Sequence, residues 1–178
     1  MKTYIALLRG INVSGQKKIP MAELRQLMDD SGYKNVKTYI QTGNIIFRTE
    51  DSVSESTKKI ADAIKAHFNF DVPVFVIEPS HIQQVLDECP FEDAKKVKSY
   101  FSLLYATPDE TIASELNELS YPNEEFLVTD KCIYFFSAIG YGRTKFNNNF
   151  FERKLKVTAT ARNYNTMMKL LSLSQELA

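Results

Sequence analysis

The chain has 178 residues, 44% apolar and 25% charged, with twelve Phe, nine Tyr and no Trp. This is globular composition with enough aromatics for a sizeable core, so disordered and fibrous chains are excluded. Lys plus Arg is 22 and Asp plus Glu is 22, which leaves no all-basic nucleic-acid coat and no acidic tail. The two cysteines, Cys89 and Cys132, are too few for a disulfide framework and too isolated for zinc. No apolar run has membrane-spanning length, and Arg9 interrupts the N-terminal run too early for a signal peptide. The expectation is a soluble, cytoplasmic protein of one or two compact units with no membrane partner.

Thr3 to Arg9 is rich in strand-forming residues, and the polar loop Gly10 to Ile19 follows it. Pro20 suits a first helical position, and Met21, Leu24, Leu27 and Met28 recur at helical spacing, with Gly32 stopping the helix. Val36 to Gln41 and Asn44 to Arg48 read as strands joined by a two-residue turn, Gly43-Asn44. Ser52 with Glu55 forms a capping box that opens a helix through Ile60, Ile64 and Phe68. Pro73 to Ile77 is a fourth strand. The order β-α-β-β-α-β is that of a ferredoxin-like split unit over residues 1–78.

Residues 79–98 read as a linking helix capped by Ser80, ended by Cys89-Pro90, and then a charged connector. The pattern then restarts: a strand over Ser99 to Ala106, a helix with a Thr107 cap, and a hairpin around Asp130. A loop from Ala138 to Lys145 leads to a helix near Asn148 to Lys156 and a last helix carrying Tyr164, Met167, Met168 and Leu171. The expected class is therefore α+β, a duplicated ferredoxin-like fold with extra helices, its second unit being residues 99–178. Tyr4 to Leu8, Val74 to Ile77, Leu103 to Ala106 and Cys132 to Phe136 lack polar alternation, so both faces of these strands are expected to be covered.

Net charge is +2 over residues 1–78, −7 over 79–139 and +5 over 140–178. Either an acidic middle attracts a basic tail, or the basic residues make a local anion site. Three polar clusters suit the second reading. Arg9 to Lys18 follows a strand end, with Gly10 and Gly15 able to turn N–H groups toward an anion beside Arg9, Asn12, Lys17 and Lys18. Gln41-Thr42-Gly43-Asn44 offers an amide at a strand end. Thr160 to Thr166 is read as opening the last helix, where Arg162 and Asn163 would face an anion; Arg143 and Lys145 extend that surface. Each has a plain alternative: a solvated β-α loop, a hairpin turn, and a capped helix. His67 and His81 have no metal-ligand spacing, no Gly-x-Ser-x-Gly elbow exists, and no catalytic set, metal or cofactor is indicated.

The segments Leu7-Leu8-Arg9-Gly10-Ile11-Asn12-Val13, Tyr39-Ile40-Gln41-Thr42-Gly43-Asn44 and Thr160-Ala161-Arg162-Asn163-Tyr164-Asn165-Thr166 resemble a bacterial family of no assigned role, domain-of-unknown-function family 1697. Ser14, Thr42, Ala161 and Tyr164 stand where the family pattern has Gly, Ser, Thr and Trp. The resemblance implies a duplicated ferredoxin-like architecture and supplies no activity, substrate or catalytic residue.

The expected function is binding of an anionic, phosphate-bearing ligand, a nucleotide or phosphorylated metabolite, by convergence of Arg9, Asn12, Gln41, Arg162 and Asn163. Sequence-nonspecific RNA binding on the β face ranks below it, because Asn44 to Arg48 lacks the aromatic arrangement for base stacking. An interaction or structural protein whose motifs are internal braces, and an enzyme with a dispersed site, are the other readings. Oligomeric state is not encoded legibly.

Overall fold

Strand- and helix-forming segments alternate in the first half to give β1 (Lys2–Leu8), α1 (Met21–Asp30), β2 (Lys34–Tyr39), β3 (Asn44–Thr49), α2 (Val53–Phe68) and β4 (Val74–Ile77). They are seen in a computed structural model that describes residues 1–178. The strands form one antiparallel sheet in the order β2-β3-β1-β4. On one face, Tyr4, Ala6, Leu8, Ile45, Phe47 and Val76 pack with Leu24, Met28, Ile60 and Ile64 of the two helices. Ile5, Leu7, Ile46 and Ile77, which point to the other face, are buried as well, as their lack of polar alternation requires. The capping box at Ser52 forms in both directions. Hydrogen bonds from the Ser52 hydroxyl, and then from its backbone, hold the Glu55 carboxyl below its ordinary range. Gly32 ends α1 in the left-handed region at φ +93°.

The second half adds α3 (Pro79–Asp87), α4 (Asp93–Lys96), β5 (Tyr100–Leu104), α5 (Glu110–Asn117), β6 (Glu124–Val128) and β7 (Cys132–Ser137). A 3-10 turn (Tyr141–Arg143), α6 (Asn148–Leu155), β8 (Ala159–Asn163) and α7 (Tyr164–Gln175) complete the chain. Its sheet is also antiparallel, in the order β6-β7-β5-β8, the same relative order as the first. The second core gathers Leu116, Ile133, Phe135, Phe146, Phe151 and Leu155.

The chain divides into two compact units, Met1–Gln83 with Met168–Ala178, and Gln84–Met167. The C-terminal residues close onto the first unit's sheet: Thr3 Oγ1 donates to Leu177 O at 3.4 Å, and Lys37 Nζ meets Glu176 Oε2 at 2.7 Å.

Four local expectations are corrected. Residues 160–162 do not open the last helix but belong to the edge strand β8, hydrogen-bonded to β5 from Tyr100↔Asn163 to Leu104↔Ala159, and only its last residue, Asn163, caps that helix. The cap of α5 is Asp109, whose side chain accepts Ile112 N–H at 3.0 Å, rather than Thr107. The connector after Cys89 contains the short helix α4. The β2–β3 turn occupies residues 40–43, since Tyr39 pairs with Asn44, so Asn44 is a strand residue.

Gly43 is the tightest point of that turn. Its φ is +85°, and a Cβ there would stand 2.6 Å from Leu8 Cβ and 3.0 Å from Ile11 Cδ1, closer than carbon atoms approach. Gly43→Ala should therefore cost about 2–4 kcal/mol, combining overpacking with left-handed strain. Gly142→Ala, with nothing within 4 Å, should stay within about 0.5 kcal/mol of wild type. Urea unfolding of both variants checks the pair; equal midpoints would refute the close approach.

Candidate functional site

The polar motifs of the first unit meet at the end of the sheet where β1 and the β2–β3 turn emerge. The loop after β1 turns sharply, with left-handed backbone at Gly10, Asn12, Ser14, Gly15 and Lys17. Gln16 N–H donates to Val13 O at 2.9 Å and Asn12 N–H to Lys17 O at 3.1 Å. The Asn12 carboxamide fastens this loop. Its Oδ1 accepts Ile19 N–H at 2.8 Å, and its Nδ2 donates to Ile19 O at 3.0 Å and to Gln41 O at 2.8 Å. One side chain thus ties the loop's two ends together and joins them to the neighbouring turn.

Around that fastening, Arg9 is half-buried, and its N–H donates to Pro73 O at 3.0 Å. Lys17 Nζ donates to Asp71 O at 2.6 Å. Lys18 and Gln41 are exposed. Asn44 is fully buried, and its Nδ2 donates to Tyr39 O and Thr42 Oγ1, both at 2.9 Å. Ile40 adopts φ +48° with its side chain 46% exposed. A β-branched residue held there costs of order 1–3 kcal/mol, and such positions cluster at functional loops.

Arg143, Lys145, Arg162 and Asn163 stand in the second unit. Arg162 is buried in β8; its Nη1 donates to Thr160 Oγ1 at 2.6 Å and Ala161 O at 2.9 Å. The bond to Thr160 follows from strand geometry, since residues two apart share a face. Asn163 caps α7, its Oδ1 accepting Thr166 N–H at 2.9 Å. Arg143 and Lys145 are exposed after β7. Lys145 N–H donates to the buried carboxylate of Glu124 at 3.1 Å, and its ammonium bonds the Tyr121 hydroxyl. Asn12, Asn44, Arg162 and Asn163 are thus engaged with the protein's own backbone, while Lys18, Gln41 and Arg143 face solvent.

Sequence reading missed Asn117, whose carboxamide bonds both backbone groups of Val128, at 2.7 and 2.9 Å, as Asn12 does with Ile19. Nothing in its exposed helical position signals this. The thiols are poor nucleophiles: burial pushes Cys132 well above its ordinary value and Cys89 in the same direction. No group of three or more His, Cys, Asp or Glu side chains is placed to hold a metal ion. No helix is long and apolar enough to cross a membrane.

The fold and these loops define a two-unit α+β protein with two four-stranded antiparallel sheets. The chain belongs to the family described as protein of unknown function DUF1697, which matches residues 1–134. That span contains the motifs at 7–13 and 39–44 and ends before 160–166. The chain is also similar to a solved structure, the conserved bacterial protein SP0830 from Streptococcus pneumoniae. The TM-score is 0.74 at 26% identity, covering 97% of this chain and 98% of that one. No curated protein matches.

Asn12→Ala should destabilise the protein by about 1–3 kcal/mol, the cost of stranding the partly buried Ile19 backbone groups and releasing Gln41 O; a change under about 0.5 kcal/mol in chemical unfolding would refute the fastening role. Ile40→Asn should instead stabilise by about 1 kcal/mol, because Asn tolerates the left-handed region and Ile40 buries little there. A lowered melting temperature for this variant would show that the Ile40 side chain is needed where it stands.

Proposed function

We propose that both units are ferredoxin-like folds arisen by duplication, and that the first binds an anionic, phosphate-bearing small molecule at the loops joined by Asn12. The βαββαβ order with strand order 2-3-1-4 in each unit supports the architecture. The observation that carries the binding reading is the Asn12 carboxamide. It holds the glycine-bearing loop and the Gln41 turn as one pre-shaped edge, with the Lys18 ammonium and Gln41 amide left in solvent. Pre-organised loops lose less entropy when a ligand docks. Lys18 supplies charge, Gln41 hydrogen bonds, and Arg9 a flanking cation. Asn12 and Asn44 act as supports. Two thiols outside any disulfide suit a reducing compartment, so we place the protein in the cytoplasm.

Base stacking on the first sheet has little support: Ile5, Leu7, Ile45, Ile46 and Phe47 of its central strands are all buried. A second reading, in which the motifs serve only as internal braces, is favoured by the bonds of Asn12, Asn44 and Arg162 to their own chain.

A thermal-shift panel of nucleotides, sugar phosphates and coenzymes separates the two. A ligand at a hundred-fold excess over Kd adds about 2.7 kcal/mol, roughly 5–10 °C for a chain of this length. Lys18→Ala and Gln41→Ala should each reduce the shift, while Lys58→Ala on the outer face of α2 should preserve it. If no compound shifts the wild type, the bracing reading stands and the binding reading is lost.

A further inference from the structure

Cations are distributed differently in the two units. In the first, five surface lysines stand against carboxylates, Lys2 with Glu78 at 3.6 Å, Lys37 with Glu176 at 2.7 Å, Lys58 with Asp62 at 3.6 Å, Lys59 with Asp51 at 3.1 Å and Lys65 with Asp71 at 2.8 Å, while Lys18 and Lys34 are exposed without one. In the second unit Lys95 meets Glu125 at 2.7 Å, whereas Arg143, Arg153, Lys154 and Lys156 are exposed and pair with no carboxylate. The single acid between residues 140 and 167 is Glu152, and its Oε1 is engaged by Ala159 N–H at 2.9 Å. Clustered cations without counter-charges repel one another, and a polyanion removes that repulsion.

Aromatic rings run through the same surface. Tyr121 is 39% exposed, and the Lys145 ammonium lies 4.5 Å from its ring centroid. Phe146 packs edge-on against Tyr121 at 5.5 Å and against Phe150 at 5.1 Å. Phe150 is half-buried on α6. Arg153 and Lys154 lie three and four residues beyond it, so they neighbour it on the helix surface. Lys156 follows in a left-handed residue at φ +55°. Tyr121 and Lys145 are thus joined through Phe146 to Phe150, whose helical neighbours Arg153 and Lys154 lie within about 6 Å along α6.

We propose that this surface binds single-stranded nucleic acid, with the cations on phosphates and a base against Tyr121. Positive charge interleaved with ring faces is the chemistry that holds single strands without reading sequence. An acidic peptide would use the cations and leave the rings idle. The surface lies wholly within Gln84–Met167 and does not depend on the loops of the first unit.

The test is fluorescence anisotropy of a labelled oligouridylate on the full chain at several salt concentrations. Five phosphate contacts predict a slope of log K against log salt near −3.5. The double variant Arg153→Ala, Lys154→Ala should reduce that slope in magnitude by about 1.4. Lys58→Ala, Lys59→Ala, which removes paired cations of the first unit, should leave it unchanged. Tyr121→Leu, which keeps an apolar group on Phe146, should weaken binding about fivefold or more. Circular dichroism and thermal melts of each variant separate lost binding from lost folding. Absence of oligonucleotide binding at low salt, equal slopes for the two double variants, or unchanged affinity for Tyr121→Leu would overturn the proposal. So would displacement by inorganic polyphosphate as potent, charge for charge, as by unlabelled oligonucleotide, or tighter capture by phosphatidylserine vesicles than by the oligonucleotide.

Discussion

At Gly43 the chain runs so close over β1 that a methyl group has no place, its ideal position falling 2.6 Å from Leu8 Cβ. Leu8 N–H donates to Gly43 O at 2.8 Å across the same gap. This approach sets where the β2–β3 turn sits. It brings Gln41 O within reach of Asn12, and so makes one edge of two loops 29 positions apart. It also draws Asn44 into the sheet, where its amide satisfies Tyr39 O and Thr42 Oγ1. A single steric constraint thus decides that the first two polar motifs belong together.

Much of the architecture was legible because periodicity and caps report local physics. The Ser52–Glu55 box, the Gly32 stop and the apolar stripes of α1 and α2 name their elements before any tertiary contact is known. The strand β8 was not legible. It is short, polar at Thr160, Arg162 and Asn163, and passes into α7 without a turn residue. Its alternation of Thr160 and Arg162 is hidden because the buried face carries a hydroxyl and a guanidinium, hydrogen-bonded to one another, in place of apolar side chains. A pattern test that counts apolar side chains misses a strand whose buried residues are polar and paired.

The site was legible as a set of residue types and not as a set of roles. Asn12 and Asn44 stand in the motifs that sequence reading selected, but the useful atoms of their side chains point at carbonyls of their own chain. The repeated device of a carboxamide bonding both backbone groups of one residue, Asn12 on Ile19 and Asn117 on Val128, leaves no sequence signature at all. It depends only on two segments arriving at the right separation. The two units share topology and this device, while the pairing of their surface cations is a property of side chains that topology does not constrain.

The first unit is assembled from both ends of the chain, Met1–Gln83 and Met168–Ala178, with Gln84–Met167 inserted between them. During synthesis the inserted unit is contiguous and can collapse as it leaves the ribosome. The earlier-made sheet is complete by Ile77, and what comes last is the contact of Glu176 and Leu177 with Lys37 and Thr3. Contacts spanning 174 positions raise contact order and slow the closing step. The first unit therefore gains its last contacts after the inserted unit has been made, although its sheet and helices precede that unit in the chain.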